Sequence, residues 1–169
     1  MALSIARVDW FDPRGVALRA AMDAEMSALY AGFMAAHTPE VREAIDDALA
    51  INPADVVVGV IALDGDRAVA HAVLRAFRDD RGPFGDELEV KKVFVDEGAR
   101  GKGVARALMA WLDDYARSAG IGSLVLQTGS LQPEAIALYE KIGYVAIEPY
   151  RGYGAIPGGL CYRKVLATA

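Results

Sequence analysis

Cysteine is nearly absent from this 169-residue chain, where Cys161 stands alone. One thiol cannot form an internal disulfide, so the fold must hold without staples and a reducing compartment, the cytoplasm, is the expected location. Histidine is almost as scarce. His37 and His71 lie far apart, and with a single cysteine they give no ligand spacing of the zinc type, so no metal is expected. Long apolar runs are missing too, although 54% of residues are hydrophobic, and no stretch approaches the roughly 20 apolar residues that span a bilayer. The first residues, Met1 to Trp10, lack a basic start, an apolar stretch and a cleavage site, so no secretory signal is expected there. A basic excess is lacking as well: 18 Lys and Arg stand against 23 Asp and Glu, a net charge of −5. Nucleic-acid binding, which needs clustered positive charge, is therefore not expected. A negative protein attracts small cations, amines among them.

What the chain does have is a sustained alternation of strand and helix signals. Leu3 to Asp9 reads as a first strand. Asp12-Pro13 then opens a helix on which Leu18, Met22, Met26, Leu29 and Phe33 recur at helical spacing. Thr38-Pro39 opens a second helix, with Val41, Ile45 and Leu49 as its apolar stripe, and Asn52-Pro53 ends it. Asp55 to Leu63 and Arg67 to Phe77 read as strands joined at Asp64-Gly65-Asp66, a hairpin signal. Asp79 to Asp86 reads as a loop and Leu88 to Val95 as the next strand. The best-marked helix runs from Gly103 to Ala119, with Val104, Leu108, Trp111, Leu112 and Tyr115 on one face and Gly120 just past its end. A strand to Gln127, a helix from Pro133 to Ile142, a strand near Tyr144 to Ile147 and a last strand from Leu160 to Leu166 follow. This order predicts one α/β domain over residues 1–169, with a single mixed sheet of about seven strands flanked by helices.

The most informative stretch is Val93-Phe94-Val95-Asp96-Glu97-Gly98-Ala99-Arg100-Gly101-Lys102-Gly103-Val104-Ala105, a strand, a glycine-rich corner and a helix start. Main-chain N–H groups at a helix start have no intrahelical partner, and glycines let a ligand approach them. The partial positive charge of the helix end adds to this, so the corner suits a phosphate or pyrophosphate. A P-loop would need Ser or Thr after Gly-Lys, whereas Gly103 follows Lys102. A dinucleotide-binding fingerprint would need Gly or Ala where Arg106 stands, and an acidic residue ending the next strand, which ends in Gln127. What remains is Arg-x-x-Gly-x-Ala at Arg100, Gly103 and Ala105. Farther on, Leu124-Val125-Leu126-Gln127-Thr128-Gly129 precedes Gln132-Pro133-Glu134-Ala135-Ile136-Ala137-Leu138-Tyr139-Glu140-Lys141-Ile142-Gly143-Tyr144.

Together these two segments resemble the cofactor-binding segments of the GNAT superfamily of N-acetyltransferases, in detail from about Glu87 to Cys161 and only generally before that. The resemblance implies acetyl-CoA as co-substrate and two parallel central strands that splay apart at one end. The pantetheine arm would pair with the main chain of Val93, Phe94 and Val95. The pyrophosphate would sit on Arg100, Gly101, Lys102, Gly103, Val104 and Ala105. Acetyl would pass directly to an amine, with no covalent enzyme intermediate. In the family a carboxylate on the strand before the corner often serves as base, which points to Glu89. Glu87, on the same face by alternation, is the runner-up; otherwise both would be solvated glutamates at a sheet edge. Tyr139 matches the tyrosine that protonates the departing thiolate in many members, and it also fits as a packing residue sharing a helix face with Ile136. Many members carry an asparagine before the second segment's helix, bonded to the pantetheine arm. Gln132, followed by Pro133, stands there, and its longer amide would shift that contact.

Other residues are open. Lys102 is a second phosphate contact or merely exposed. His37 is expected to be exposed before a helix, and His71 to be a satisfied core or edge histidine, or else part of the acceptor pocket. Cys161 is rejected as an acyl-accepting nucleophile because no histidine lies near it in sequence. Pro149 to Gly159 is too long and glycine-rich for a simple turn. In the resemblance it borders the acceptor, so Tyr150 and Tyr153 would shape that site or be plain loop residues. The expected activity is acetyl transfer to a small, cationic primary amine; the alternative is an idle acyl-CoA sensor or interaction module. A small-molecule amine is the expected partner, no nucleic acid or membrane is expected, and a homodimer is left open.

Overall fold

The strand signals condense into one sheet. A computed structural model describes residues 3–77 and 87–166, so the expected loop from Asp79 to Asp86 lies outside the described residues. The elements are β1 (Leu3–Val8), α1 (Pro13–Ala35), α2 (Pro39–Leu49), β2 (Val56–Asp64), β3 (Arg67–Ala76), β4 (Glu87–Val95), α3 (Val104–Ser118), β5 (Ser123–Gly129), α4 (Pro133–Lys141), β6 (Val145–Ile147) and β7 (Gly159–Val165). The strand order is β1-β2-β3-β4-β5-β7-β6. All neighbouring strands are antiparallel except β4 and β5. No described helix is long and apolar enough to cross a membrane.

Local chemistry sets the helix ends. Asp12 accepts the Arg14 N–H at 2.9 Å and Pro13 supplies a preset φ in the first turn, which starts α1. Gly120, at φ 74°, ends α3 with the Ile121 N–H returning to the Ala116 carbonyl at 2.9 Å. Between those ends α3 buries Val104, Leu108, Met109, Leu112 and Ala116 against Leu88 and Val90 of β4 and Leu124 and Leu126 of β5. Trp111 and Tyr115, expected on that stripe, are only partly buried and stack on each other with centroids 5.7 Å apart.

The opposite face of the sheet is covered unevenly. Leu18 of α1 packs with Ile61 and Phe94, but Met22, Met26 and Phe33 from the same stripe line a cleft. Leu29 is exposed. Helical periodicity showed which side of α1 is apolar without showing that this side overhangs an opening in the sheet. The segment from Pro149 to Gly159 is not a loose loop. It makes a short 3-10 helix, Arg151–Ala155, that buries Tyr153 and sets Gly152 against Ala48 of α2.

The opening comes from the one parallel pair. β4 and β5 are hydrogen-bonded from Glu87↔Ser123 to Val90↔Leu126 and no farther. β4 stays with β3 as far as Val95, and β5 stays with β7 as far as Gly129. Beyond Val90 the two strands therefore part, and the main chain from Lys91 to Val95 has no strand on its β5 side. A bulge accompanies the parting: Lys92 and Val93 together oppose Ala72 alone, and Lys92 has φ 54°. A lysine in this left-handed region needs support from its surroundings.

Candidate active site

The gap between β4 and β5 is roofed by α1 and α2 and closed at one end by α4, giving a cleft of about 290 Å³. Its walls include Val90 to Val93, Gln127 to Ser130, Gln132 and Tyr139, with Met22, Met26 and Phe33 opposite. Of the sequence-derived candidates, the structure thus brings together Val93, Gln132 and Tyr139.

Tyr139 projects from α4 and is buried, which pushes its phenol up to about 12. It is therefore a protonated donor at neutral pH. Gln132, at the start of α4, donates from Nε2 to the Tyr30 hydroxyl at 3.2 Å. That hydroxyl lies against Gly129, where any Cβ would overlap it. Only glycine there admits Tyr30 so deep into the mouth of the cleft.

The glycine corner lies at the start of α3. Gly101 and Gly103 have φ 73° and 78°, and no side chain caps the helix. The first N–H groups of α3 thus have no side-chain acceptor among the described residues, as anion binding requires. Arg100 donates to the Val95 carbonyl at 3.0 Å and to Glu25 of α1, and Lys102 folds back on the Gly98 carbonyl at 2.7 Å. Both cations stand at the corner while tethered to their own loop. Of the other corner residues, Val104 is buried in the core and Ala105 follows it on α3; Phe94 and Val95 pair with β3.

Glu89 is fully buried and meets the cleft only through other groups. Its Oε2 accepts the Arg75 Nε, while Oε1 accepts the hydroxyls of Tyr150 at 2.8 Å and Tyr153 at 2.5 Å. Lys91, which does line the cleft, donates Nζ to the Tyr153 oxygen at 2.8 Å. Burial drives the Lys91 ammonium down to about 8, although Glu89 pulls the other way. A continuous path therefore links the cleft to Glu89 through Lys91 and Tyr153. Glu87 is also buried and is held by Arg163 Nε at 2.7 Å and the Ser123 hydroxyl at 2.5 Å, away from the cleft walls. Neither glutamate is a solvated edge residue, because β4 is central. Lys91 escaped the sequence reading because a strand lysine ordinarily faces water.

His71 is a core histidine, and its tautomer follows from its neighbours. Arg19 can only donate, so its Nη1 contact to Nε2 at 2.9 Å makes that nitrogen the acceptor. Nδ1–H therefore donates to the Lys92 carbonyl at 3.1 Å and holds the bulge. Burial drives His71 down to about 4, and the Arg19 and Lys92 charges add to the effect. The unfolded imidazole binds its proton near pH 6.5, so this stability is present above that value and is lost as pH falls toward 4. Between about pH 7 and pH 5 the protein should lose roughly 2 kcal/mol relative to a His71→Asn variant, as read from urea midpoints. Parallel pH curves for the two proteins would refute this.

His37 is half-buried, not exposed: Nδ1 contacts the Phe33 carbonyl at 2.7 Å. Cys161 is buried beside Tyr150, Tyr153 and Val125, and burial raises its thiol pKa, contrary to what a nucleophile needs. No cluster of three metal-ligating side chains occurs among the described residues.

The chain resembles known proteins in sequence and in fold. It is 41% identical over 88 residues to an IAA acetyltransferase of Azospirillum brasilense, covering 52% of this chain and 56% of that protein. It is 33% identical over 84 residues to a streptothricin acetyltransferase of Streptomyces lavendulae, covering 50% and 41%. The chain thus spans about half the length of these curated relatives. A proposed acyl-CoA N-acyltransferase from Klebsiella pneumoniae superposes with a TM-score of 0.76 at 24% identity, covering 98% of this chain and 99% of that one. The PaiA N-acetyltransferase of Thermoplasma acidophilum, solved with coenzyme A, gives 0.66 at 12% identity, covering 98% and 99%. At such identities the structures bear on the fold alone. The family model for the acetyltransferase (GNAT) family matches residues 18–144, which include most of the cleft lining, the glycine corner and Tyr139, and the chain belongs to that family.

Proposed function

We propose that this protein is an acetyl-CoA-dependent N-acetyltransferase that moves an acetyl group directly to a primary amine of a small acceptor. The observation that carries this reading is the parting of β4 from β5 beside an uncapped helix start. The unpaired edge from Lys91 to Val95 would receive an extended pantetheine arm as an added strand. The main-chain N–H groups from Gly101 to Ala105 would hold the pyrophosphate, with Arg100 and Lys102 beside it, and Gln132 would contact the arm. Membership of the acetyltransferase (GNAT) family supports a ligand of this class.

The chemistry divides between the two sides of the cleft. An alkyl amine is mostly protonated at neutral pH and must lose a proton before it attacks a thioester. Lys91, poised near 8, takes that proton and passes one through Tyr153 to Glu89, so Glu89 is the base at the end of a relay. Tyr139, from the other side, supplies a proton to the departing thiolate. The unpaired β4 amides near the bulge face the developing oxyanion.

Thiol release with a panel of amines tests the function; coenzyme A binding without turnover on any amine would favour a sensor instead. Tyr139→Phe is expected to lower kcat by about 100-fold while leaving coenzyme A affinity within about threefold. In the same assay kcat/KM should rise through about pH 8, and Lys91→Met should remove that limb. An unchanged profile in Lys91→Met would break the relay.

A further inference from the structure

Arg19 is a buried cation with no carboxylate partner among the described residues. Two of its donors are used, Nη1 on His71 at 2.9 Å and Nη2 on the Trp10 carbonyl at 2.5 Å. Its guanidinium lies over the Trp10 ring, 3.8 Å from the centroid. A guanidinium has five donors in a fixed fork, so three N–H groups are left. Arg19 lines a second cavity of about 350 Å³, walled also by Trp10, Asp46, Ile51 and the Lys92–Asp23 ion pair. This cavity meets the cleft at Asp23, Leu49 and Lys92. The cavity and the cleft are therefore neighbours at the bulge.

The charges facing this cavity are Arg19, Lys92, Asp23 and Asp46. Lys92 and Asp23 neutralise each other at 2.9 Å. Asp23 also attracts Arg19 through space, but no carboxylate contacts Arg19 among the described residues, and the guanidinium is stacked and pre-oriented, an arrangement that favours a planar oxyanion over water. Asp46 makes no bond to Arg19 and is the one acidic group left to face a ligand's ammonium. The adjoining cleft wall is apolar, with Met22 and Leu49 nearest the junction.

We propose that Arg19 docks a carboxylate of the acceptor, so that the acceptor class is an amine carrying a nearby carboxylate and an apolar substituent, such as an apolar amino acid. This rests on the acyltransferase reading of the cleft. It replaces the cationic acceptor argued from net charge, because a guanidinium without a contacting carboxylate outweighs a diffuse surface charge of −5 at contact distance.

The test is binding of reaction products, which needs no turnover. N-acetyl-leucine and N-acetyl-leucinamide, equal in shape and differing in charge, are titrated calorimetrically into the protein with and without coenzyme A. The acid should bind at least about tenfold tighter than the amide, and Arg19→Gln should abolish the difference while coenzyme A affinity stays unchanged. Equal affinities, no binding of either compound, or a preference that survives in Arg19→Gln would each overturn the assignment. Should Arg19→Gln fail to fold, the acid–amide contrast in the unaltered protein decides alone. Failure of coenzyme A to bind would defeat the acyltransferase reading separately, since the acid–amide contrast is read without it as well.

Discussion

Glu89→Ala is expected to lower the unfolding free energy by about 3–5 kcal/mol, because it leaves buried cations without their counter-ion. Glu89 is fully buried, and the Arg75 side chain that pairs with it is only 13% exposed. Lys91 stands one hydrogen bond farther away through Tyr153. Removing the carboxylate would strand both cations and take the acceptor from two phenols, each a buried polar group. Urea unfolding measures the loss. A second substitution separates charge from packing: adding Lys91→Met to Glu89→Ala should recover about 1–2 kcal/mol, since an uncompensated ammonium is then gone. A loss below about 1 kcal/mol in Glu89→Ala would mean that the cluster is hydrated and the carboxylate is not the keystone of this wall. The stability effect also bears on kinetics. Glu89→Gln keeps the shape and one acceptor, so its activity is the fairer measure of the base.

The parts of this molecule that were legible in sequence are those governed by local rules. Pro13, Pro39 and Pro133 fall in the first turns of their helices, and Gly120 and Gly143 follow the ends of theirs with positive φ. The glycine corner could be read because a helix start without a capping side chain needs glycines at defined offsets. The alternation that put Glu87 and Glu89 on one face was correct, but their surroundings were hidden. Their partners, Arg75, Tyr150, Tyr153 and Arg163, come from other strands and from an irregular segment without periodicity. The bulge at Lys92 was equally silent, because no glycine marks it and His71 supports it from a neighbouring strand. The apolar stripe of α1 was legible as helical, and the helix is there, but periodicity alone does not tell a cleft wall from a core, since both have an apolar face.

Two distant parts of the cleft are both held by α1. Glu25 pairs with Arg100 at the glycine corner, and farther along the helix Tyr30 reaches Gly129 and Gln132 at the mouth. Asp23, from the same helix, holds Lys92 at the bulge. One helix thereby touches the glycine corner, the mouth of the cleft and the bulge.

The corner itself can be tested by charge with little steric change. Gly103→Glu is expected to weaken coenzyme A binding about a thousandfold, some 4 kcal/mol, measured by calorimetry. A Cβ at Gly103 would meet nothing nearer than the Arg106 side chain at 3.8 Å, so there is room for the substitution. The backbone, however, holds φ 78°, which costs most side chains about 1–2 kcal/mol. Gly103→Asn controls for that strain, since asparagine tolerates the left-handed region and carries no charge. It should weaken binding by no more than about tenfold. The difference between the two variants then isolates a carboxylate set among main-chain amides that would otherwise face a diphosphate. It should shrink as salt is raised, because the corner is open to solvent. Affinity within about threefold of the parent in Gly103→Glu would place the phosphates elsewhere. The parting of β4 and β5 would then need a different occupant, since an arm that pairs with Val93 to Val95 must bring its pyrophosphate to the start of α3.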